Sequence, residues 1–220
     1  MLQHSPKNTI DLAELVLPHY PRPSGLPPFV AMDFETSGNE SDSACALGMV
    51  RIEDAAVAGS FYRLIRPPHS NVLYSDIHGL TWPMLKDQPT FGELWPEIAA
   101  FIDGAAFFTA HNAAFDRRVL LGCCEANGIA APGMPFYCTV KASRRAWHYP
   151  HNNLSAVCER LNLPLDHHHA LSDALACALI YLFAKDAGVD DTLIRTPREQ
   201  CSPRVSRPKK TKPDAAQRHR

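Results

Sequence analysis

The chain has 220 residues, enough for one domain with a sizeable core plus terminal extensions. With 45% apolar residues, a formal charge of −1 and no stretch near the ~18 apolar residues of a membrane span, it reads as a soluble globular protein. Seven cysteines without a Cys-x-x-Cys, and an N-terminus interrupted by Pro6 and Pro18, favour a reduced, cytoplasmic protein over a secreted disulfide or zinc framework.

Residues 1–28 are Pro-rich and read as an extension, with one short amphipathic helix candidate over Asp11–Leu17 beginning near Thr9. The apolar run Phe29-Val30-Ala31-Met32 leads into Asp33-Phe34-Glu35 and leaves through Thr36-Ser37-Gly38, the pattern of a buried strand. Residues 44–52 and 59–66 are two more strands, and the short turn at 53–59 makes them antiparallel neighbours. Pro67 and Pro68 open a long loop that runs through Trp82-Pro83. Thr90 caps a helix from about Phe91 to Ile102, and Ala106–Ala110 is a buried strand. Asn112 is the candidate N-cap of a helix from Ala113 to about Asn127, stopped at Gly128. A strand over Phe136–Val140 and helices near 139–147, 153–162 and 170–187 complete a body spanning 29–190. The expected fold is α/β, a mixed sheet with helices on its faces. Residues 191–220 read as a basic, disordered tail. From Ile194 onward nine Lys/Arg face only Glu199 and Asp214, a charge of +7 that leaves −8 for the rest. Such a tail either meets a phosphate-bearing partner or is simply a solvated terminus.

Strand side chains alternate, so Asp33 and Glu35 project the same way at their strand's end. Two carboxylates that close repel each other unless a divalent cation lies between them, although an exposed acidic strand end would look the same in sequence. Asp116, in His111-Asn112-Ala113-Ala114-Phe115-Asp116, falls one turn into a helix that follows a buried strand. Asp173 lies in the first turn of the last long helix, entered through His167-His168-His169. Each of these alone is also explained as a helix-start acid. Together, acids at strand ends and helix starts can converge at one end of an α/β sheet. Four carboxylates offer hard oxygen ligands for Mg²⁺ or Mn²⁺, and an imidazole beside them can take a proton from an attacking water. The set fits two-metal hydrolysis of a phosphodiester. A zinc site on the three histidines and Cys177 lacks the usual paired ligand spacing.

Val-Ala-Met-Asp-Phe-Glu-Thr, His-Asn-Ala-Ala-Phe-Asp and His-x-Ala-x-x-Asp, in this order, resemble the three motifs of the DnaQ-like exonucleases of the DEDDh type. That is the family of the proofreading epsilon subunit of bacterial DNA polymerase III, and Ile77-His78-Gly79-Leu80-Thr81 is similar to a further segment common in it. The resemblance runs from about Phe29 to Lys185 and implies a ribonuclease H-like fold with a central mixed five-stranded sheet flanked by helices. It implies that Asp33, Glu35, Asp116 and Asp173 hold two Mg²⁺ or Mn²⁺ ions, with Asp33 between them and Asp116 partly acting through water. The family's catalytic histidine lies five residues before the last aspartate, which selects His168 over His167 and His169. Thr36, Leu47, Asn112 and Phe115 are the candidates to line the pocket for the 3′-terminal nucleotide, while Phe34 should face the core. The implied activity is 3′→5′ hydrolysis of single-stranded nucleic acid, DNA favoured, to nucleoside 5′-monophosphates, with a DNA polymerase as a candidate partner. The alternatives are an RNA-trimming relative and an inactive nucleic-acid-binding adaptor.

Overall fold

The computed structural model describes residues 20–197; the helix candidate over Asp11–Leu17 and the basic residues from Arg198 onward lie outside that range. Five strands form one sheet in the order β3-β2-β1-β4-β5. They are β1 (Phe29–Thr36), β2 (Ala44–Glu53), β3 (Ala56–Leu64), β4 (Phe107–Ala110) and β5 (Phe136–Cys138). β1 pairs antiparallel with β2 and parallel with β4, so the sheet is mixed, as the short and long connections require. β3 begins at Ala56 rather than near Gly59. Asp54 and Ala55 both adopt positive φ (49° and 57°), and a two-residue turn of that hand matches strand twist and lets pairing start at once.

The long loop after β3 contains two single-turn helices, α1 (Ser75–His78) and α2 (Trp82–Leu85). The remaining helices are α3 (Phe91–Ile102), α4 (Ala114–Ala126), α5 (Thr139–Ala146), α6 (Leu154–Leu161), α7 (Ala170–Asp186) and α8 (Asp191–Ile194). Thr90 and Glu93 form a reciprocal capping box at the start of α3, the reason that helix begins where it does. Gly128, at φ 64°, follows α4 in the left-handed conformation that ends helices.

Alternation along β1 sorts its residues between two cores. Val30, Met32 and Phe34 join Leu47 and Met49 under α3 and α4. Phe29 and Ala31 join Val50 and Ile52 under α5, α6 and α7. α7 is buried on every side from Ala170 to Leu182, as a helix apolar all round must be. It can lie so close to the sheet because β2 has a glycine there: a Cβ on Gly48 would fall 2.2 Å from the Ala170 carbonyl carbon. Gly48 pairs with Asp33 across the β1–β2 ladder, so this contact brings the start of α7 level with the strand-end acids.

Residues 191–197, assigned to the tail on composition, pack on the body instead. Ile194 is fully buried, Thr196 N donates to Phe136 O at 2.8 Å, and Arg195 bridges Tyr137. One buried isoleucine with two backbone pairings outweighs a polar local composition. Six cysteines, all but Cys201, are described, and each is free and buried. Among the described residues no helix is long and apolar enough to cross a membrane.

Candidate functional site

Odd-numbered residues of β1 face α7, so Asp33 and Glu35 emerge at the strand's end opposite the first turn of that helix, where Asp173 stands. Carboxylate oxygens of Asp33, Glu35 and Asp173 all lie within 4.8 Å of one another. Asp116 stands just outside that group: from α4 its Oδ1 accepts the Phe34 N–H at 3.1 Å. Asp116 and Asp173 are buried, and Asp116 Oδ2 and Asp173 Oδ1 have no hydrogen-bond partner among the described residues.

Burial is the largest influence on all four carboxyls and raises each above its usual range, and repulsion between them adds to the effect at Asp33, Glu35 and Asp116. Burial, then Asp173 and Asp116, push Glu35 from 4.5 to about 8. Burial raises Asp116 to about 7, although the Phe34 N–H opposes it. Asp33 is raised by burial and by all three neighbouring acids. Asp173 is raised by burial, with His167 pulling the other way. An acidic cluster this costly, with two orphaned buried oxygens, fits divalent ions with hard oxygen ligands. Asp33, Glu35 and Asp173 would hold them directly, and Asp116 would complete the set.

The three histidines separate in space. His169 turns away: its ring stacks on Tyr62 with centroids 4.6 Å apart. His167 Nδ1 donates to Asp173 Oδ2 at 3.0 Å, and the His168 backbone N–H donates to the same oxygen at 3.2 Å. His168 takes φ 68°, a left-handed conformation that costs a non-glycine residue roughly 1–2 kcal/mol, and its exposed ring stacks on His167. Cys177 lies inside α7 and belongs to neither group of metal-capable side chains that includes Asp173.

Around the acids opens a cleft of about 650 Å³. Thr36, Asn112 and Phe115 line it, as do His167 and His168. Leu47 does not: it pairs with Phe34 across the β1–β2 ladder, so its side chain shares Phe34's face and is buried beneath α3 and α4, away from the acids. Asn112 is not the helix cap, because at φ 67° it forms the bend before α4 and Ala113 takes the cap position without a side-chain bond. Gly48, Arg118, Arg144 and Asn152 were missed from sequence; a glycine inside an apolar strand was the one signal available.

His111, at the end of β4, ties one wall together. Its Nε2 donates to the Asn152 carbonyl and its Nδ1 faces the Thr139 hydroxyl, both at 2.9 Å. Burial, opposed by the Asn152 hydrogen bond, pushes its pKa from 6.5 to about 4, with the charges of His167 and Arg144 adding to the effect, so the ring is neutral.

Residues 30–181 match the RNase T family model, described as an exonuclease. Over 159 residues the chain is 32% identical to the DNA polymerase III PolC-type of Thermotoga petrophila, covering 70% of this chain and 12% of that protein. Over 161 residues it is 30% identical to exodeoxyribonuclease 10 of Escherichia coli K12, covering 69% of this chain and 66% of that enzyme. The chain thus spans only 11–12% of the PolC-type polymerases it matches. Among solved structures, Exonuclease X in complex with 5′ overhanging duplex DNA aligns at TM-score 0.62 and 24% identity, over 76% of this chain and 96% of that one. The nuclease domain of 3′hExo, a DEDDh family member bound to rAMP, aligns at TM-score 0.66 and 15% identity, over 80% of this chain and 98% of that one. At these identities the two structures speak for the fold, which is ribonuclease H-like.

Proposed function

Because the chain belongs to the DnaQ-like exonuclease family of the DEDDh type, we propose that it is a metal-dependent 3′→5′ exonuclease that releases nucleoside 5′-monophosphates from single-stranded DNA. The observation that carries this reading is the convergence of Asp33, Glu35 and Asp173 on one cleft, with Asp116 bonded to the Phe34 N–H of β1 and an orphaned buried oxygen on each of Asp116 and Asp173. Bound there, Mg²⁺ or Mn²⁺ would neutralise charge on the reacting phosphate and help an attacking water ionise. His168, exposed at the cleft beside Asp173, is the general base that takes the water's proton. His167 is the positioning residue that holds Asp173. Thr36, Asn112 and Phe115 form the seat of the 3′-terminal nucleoside, with the Phe115 ring as its apolar surface.

The exonuclease domain occupies residues 29–197, preceded by a Pro-rich extension and followed by a basic segment that adds affinity for phosphates. The likeness to PolC-type polymerases supports a DNA polymerase as partner. End-labelled single-stranded DNA and RNA, each incubated with Mg²⁺, Mn²⁺ or EDTA, test the proposal. Stepwise 5′-monophosphate release from DNA that EDTA abolishes is the expected result. Internal cleavage, EDTA-resistant activity, or faster turnover of RNA would refute it.

A further inference from the structure

Two arginines line the cleft, and they differ in one respect. Arg118 is engaged: its guanidinium donates to Asn39 O at 3.0 Å and lies 5.6 Å from the Phe115 ring centroid. Arg144 has no hydrogen-bond or ion-pair partner among the described residues. The local sequence explains its position. Thr139, Ala142 and Ser143 face inward from α5, so helical periodicity turns Lys141, Arg144 and Arg145 outward. Thr139 is fixed by the His111 ring, and Ser143 Oγ donates to Asn152 Oδ1 at 2.7 Å. Arg144 therefore sits on a rigid wall with the 148–153 loop clamped beside it. Lys141 is held, its Nζ donating to Arg195 O at 3.1 Å, whereas Arg144 and Arg145 are exposed and can meet solvent or an anion.

The two walls suit different parts of a nucleotide chain. Thr36, Tyr74, Ile77 and Phe115 stand on the wall with the engaged Arg118, a surface for a sugar and a base. The α5 wall offers an unpaired guanidinium, whose planar fork matches phosphate oxygens. The acids that would act on the scissile phosphate lie between the walls. Resting on the exonuclease reading above, we propose that Arg144 binds a backbone phosphate on the 5′ side of the bond being cut, making the α5 wall the track along which a single strand enters.

The test compares Arg144→Ala and Arg144→Lys with the unaltered chain on two substrates. One is a single-stranded oligonucleotide. The other is the p-nitrophenyl ester of thymidine 5′-monophosphate, which has a scissile phosphate but no upstream one. Arg144→Ala should lower kcat/KM for the oligonucleotide about tenfold more than for the ester, the loss of one charge-assisted hydrogen bond, with KM carrying most of the change. Oligonucleotide binding in Ca²⁺, followed by anisotropy across a salt series, should lose about 0.7 from its log–log slope, and Arg144→Lys should keep most of it. Equal losses on both substrates would overturn the proposal by placing Arg144 at the reacting phosphate. An unchanged salt slope would overturn it by showing that no phosphate is held there. If the unaltered chain cut neither substrate, the exonuclease reading would fall, and the salt slope alone would still decide whether Arg144 binds phosphate.

Discussion

Gly48→Ala tests how the site is assembled without touching any residue that does chemistry. The new methyl carbon would lie 2.2 Å from the Ala170 carbonyl carbon and 2.3 Å from Ala170 O and Leu171 N. Ordinary contact needs about 3.5 Å, so the first turn of α7 must retreat from β2 by roughly 1 Å. All of these atoms are backbone, and α7 is buried on every side here, so no flexible side chain can absorb the shift. Overpacking of this kind costs about 1–3 kcal/mol, and each kcal/mol lowers Tm by about 2–4 °C in a domain of this size. Asp173 is three residues beyond Ala170 on the same turn and would move with it, away from Asp33 and Glu35. A displacement of 1 Å at a catalytic group costs on the order of 100-fold in rate. Thermal melting and exonuclease kinetics on Gly48→Ala should show both losses, and the rise in Tm on adding Mg²⁺ should shrink. Gly59→Ala is the control, because its methyl group would meet only Phe101 at 3.7 Å. A Gly48→Ala protein with unaltered Tm and turnover would refute the close-approach argument. Lost stability with full turnover would show that α7 retreats without carrying Asp173.

Four further outcomes follow from the same geometry. Without divalent ions Glu35→Gln should be more stable than the unaltered chain by up to about 3 kcal/mol at pH 7, because a carboxyl raised from 4.5 to about 8 destabilises the folded state once the unfolded chain has ionised. Melts in EDTA should show that difference vanishing below pH 4.5 and growing toward pH 8, while the variant loses exonuclease activity. His111 is depressed from 6.5 to about 4, so between those values the unfolded chain binds a proton that the folded chain refuses, and stability falls as pH falls. Denaturant unfolding at several pH values should give a flatter profile over that window for His111→Gln. His168→Ala should lower kcat about 10²–10⁴-fold, and His169→Ala, whose ring lies on Tyr62, far less; a larger loss at His169 would remove His168 as the base. Ending the chain after Pro197 removes eight Lys/Arg and two acids, and should leave kcat nearly unchanged while making the salt dependence of oligonucleotide binding shallower; superimposable slopes would show the segment to be a bystander.

Much of this molecule is written locally. The alternation through Phe29–Glu35 already placed both acids on one face, and the Thr90–Glu93 pair announced the start of α3. The order of the three acidic segments carried the family and, with it, the fold. What sequence could not decide are contacts between distant parts of the chain. Leu47 is a strand residue near the site in sequence pattern, but only the ladder that pairs it with Phe34 shows that it faces the other core. Three adjacent histidines differ in sequence only by their spacing from Asp173; packing is what turns the His169 ring onto Tyr62 and hands the His167 ring to Asp173. Ile194 sits in a stretch that reads as tail, yet it is buried in the core shared with α7, where its short helix packs on α5 and β5. Gly48 owes its role to Ala170, more than a hundred residues away, because only tertiary packing brings a helix backbone against a strand. Periodicity and caps are properties of neighbouring residues; which face meets which, and which charge stays unpaired, are properties of the packed whole.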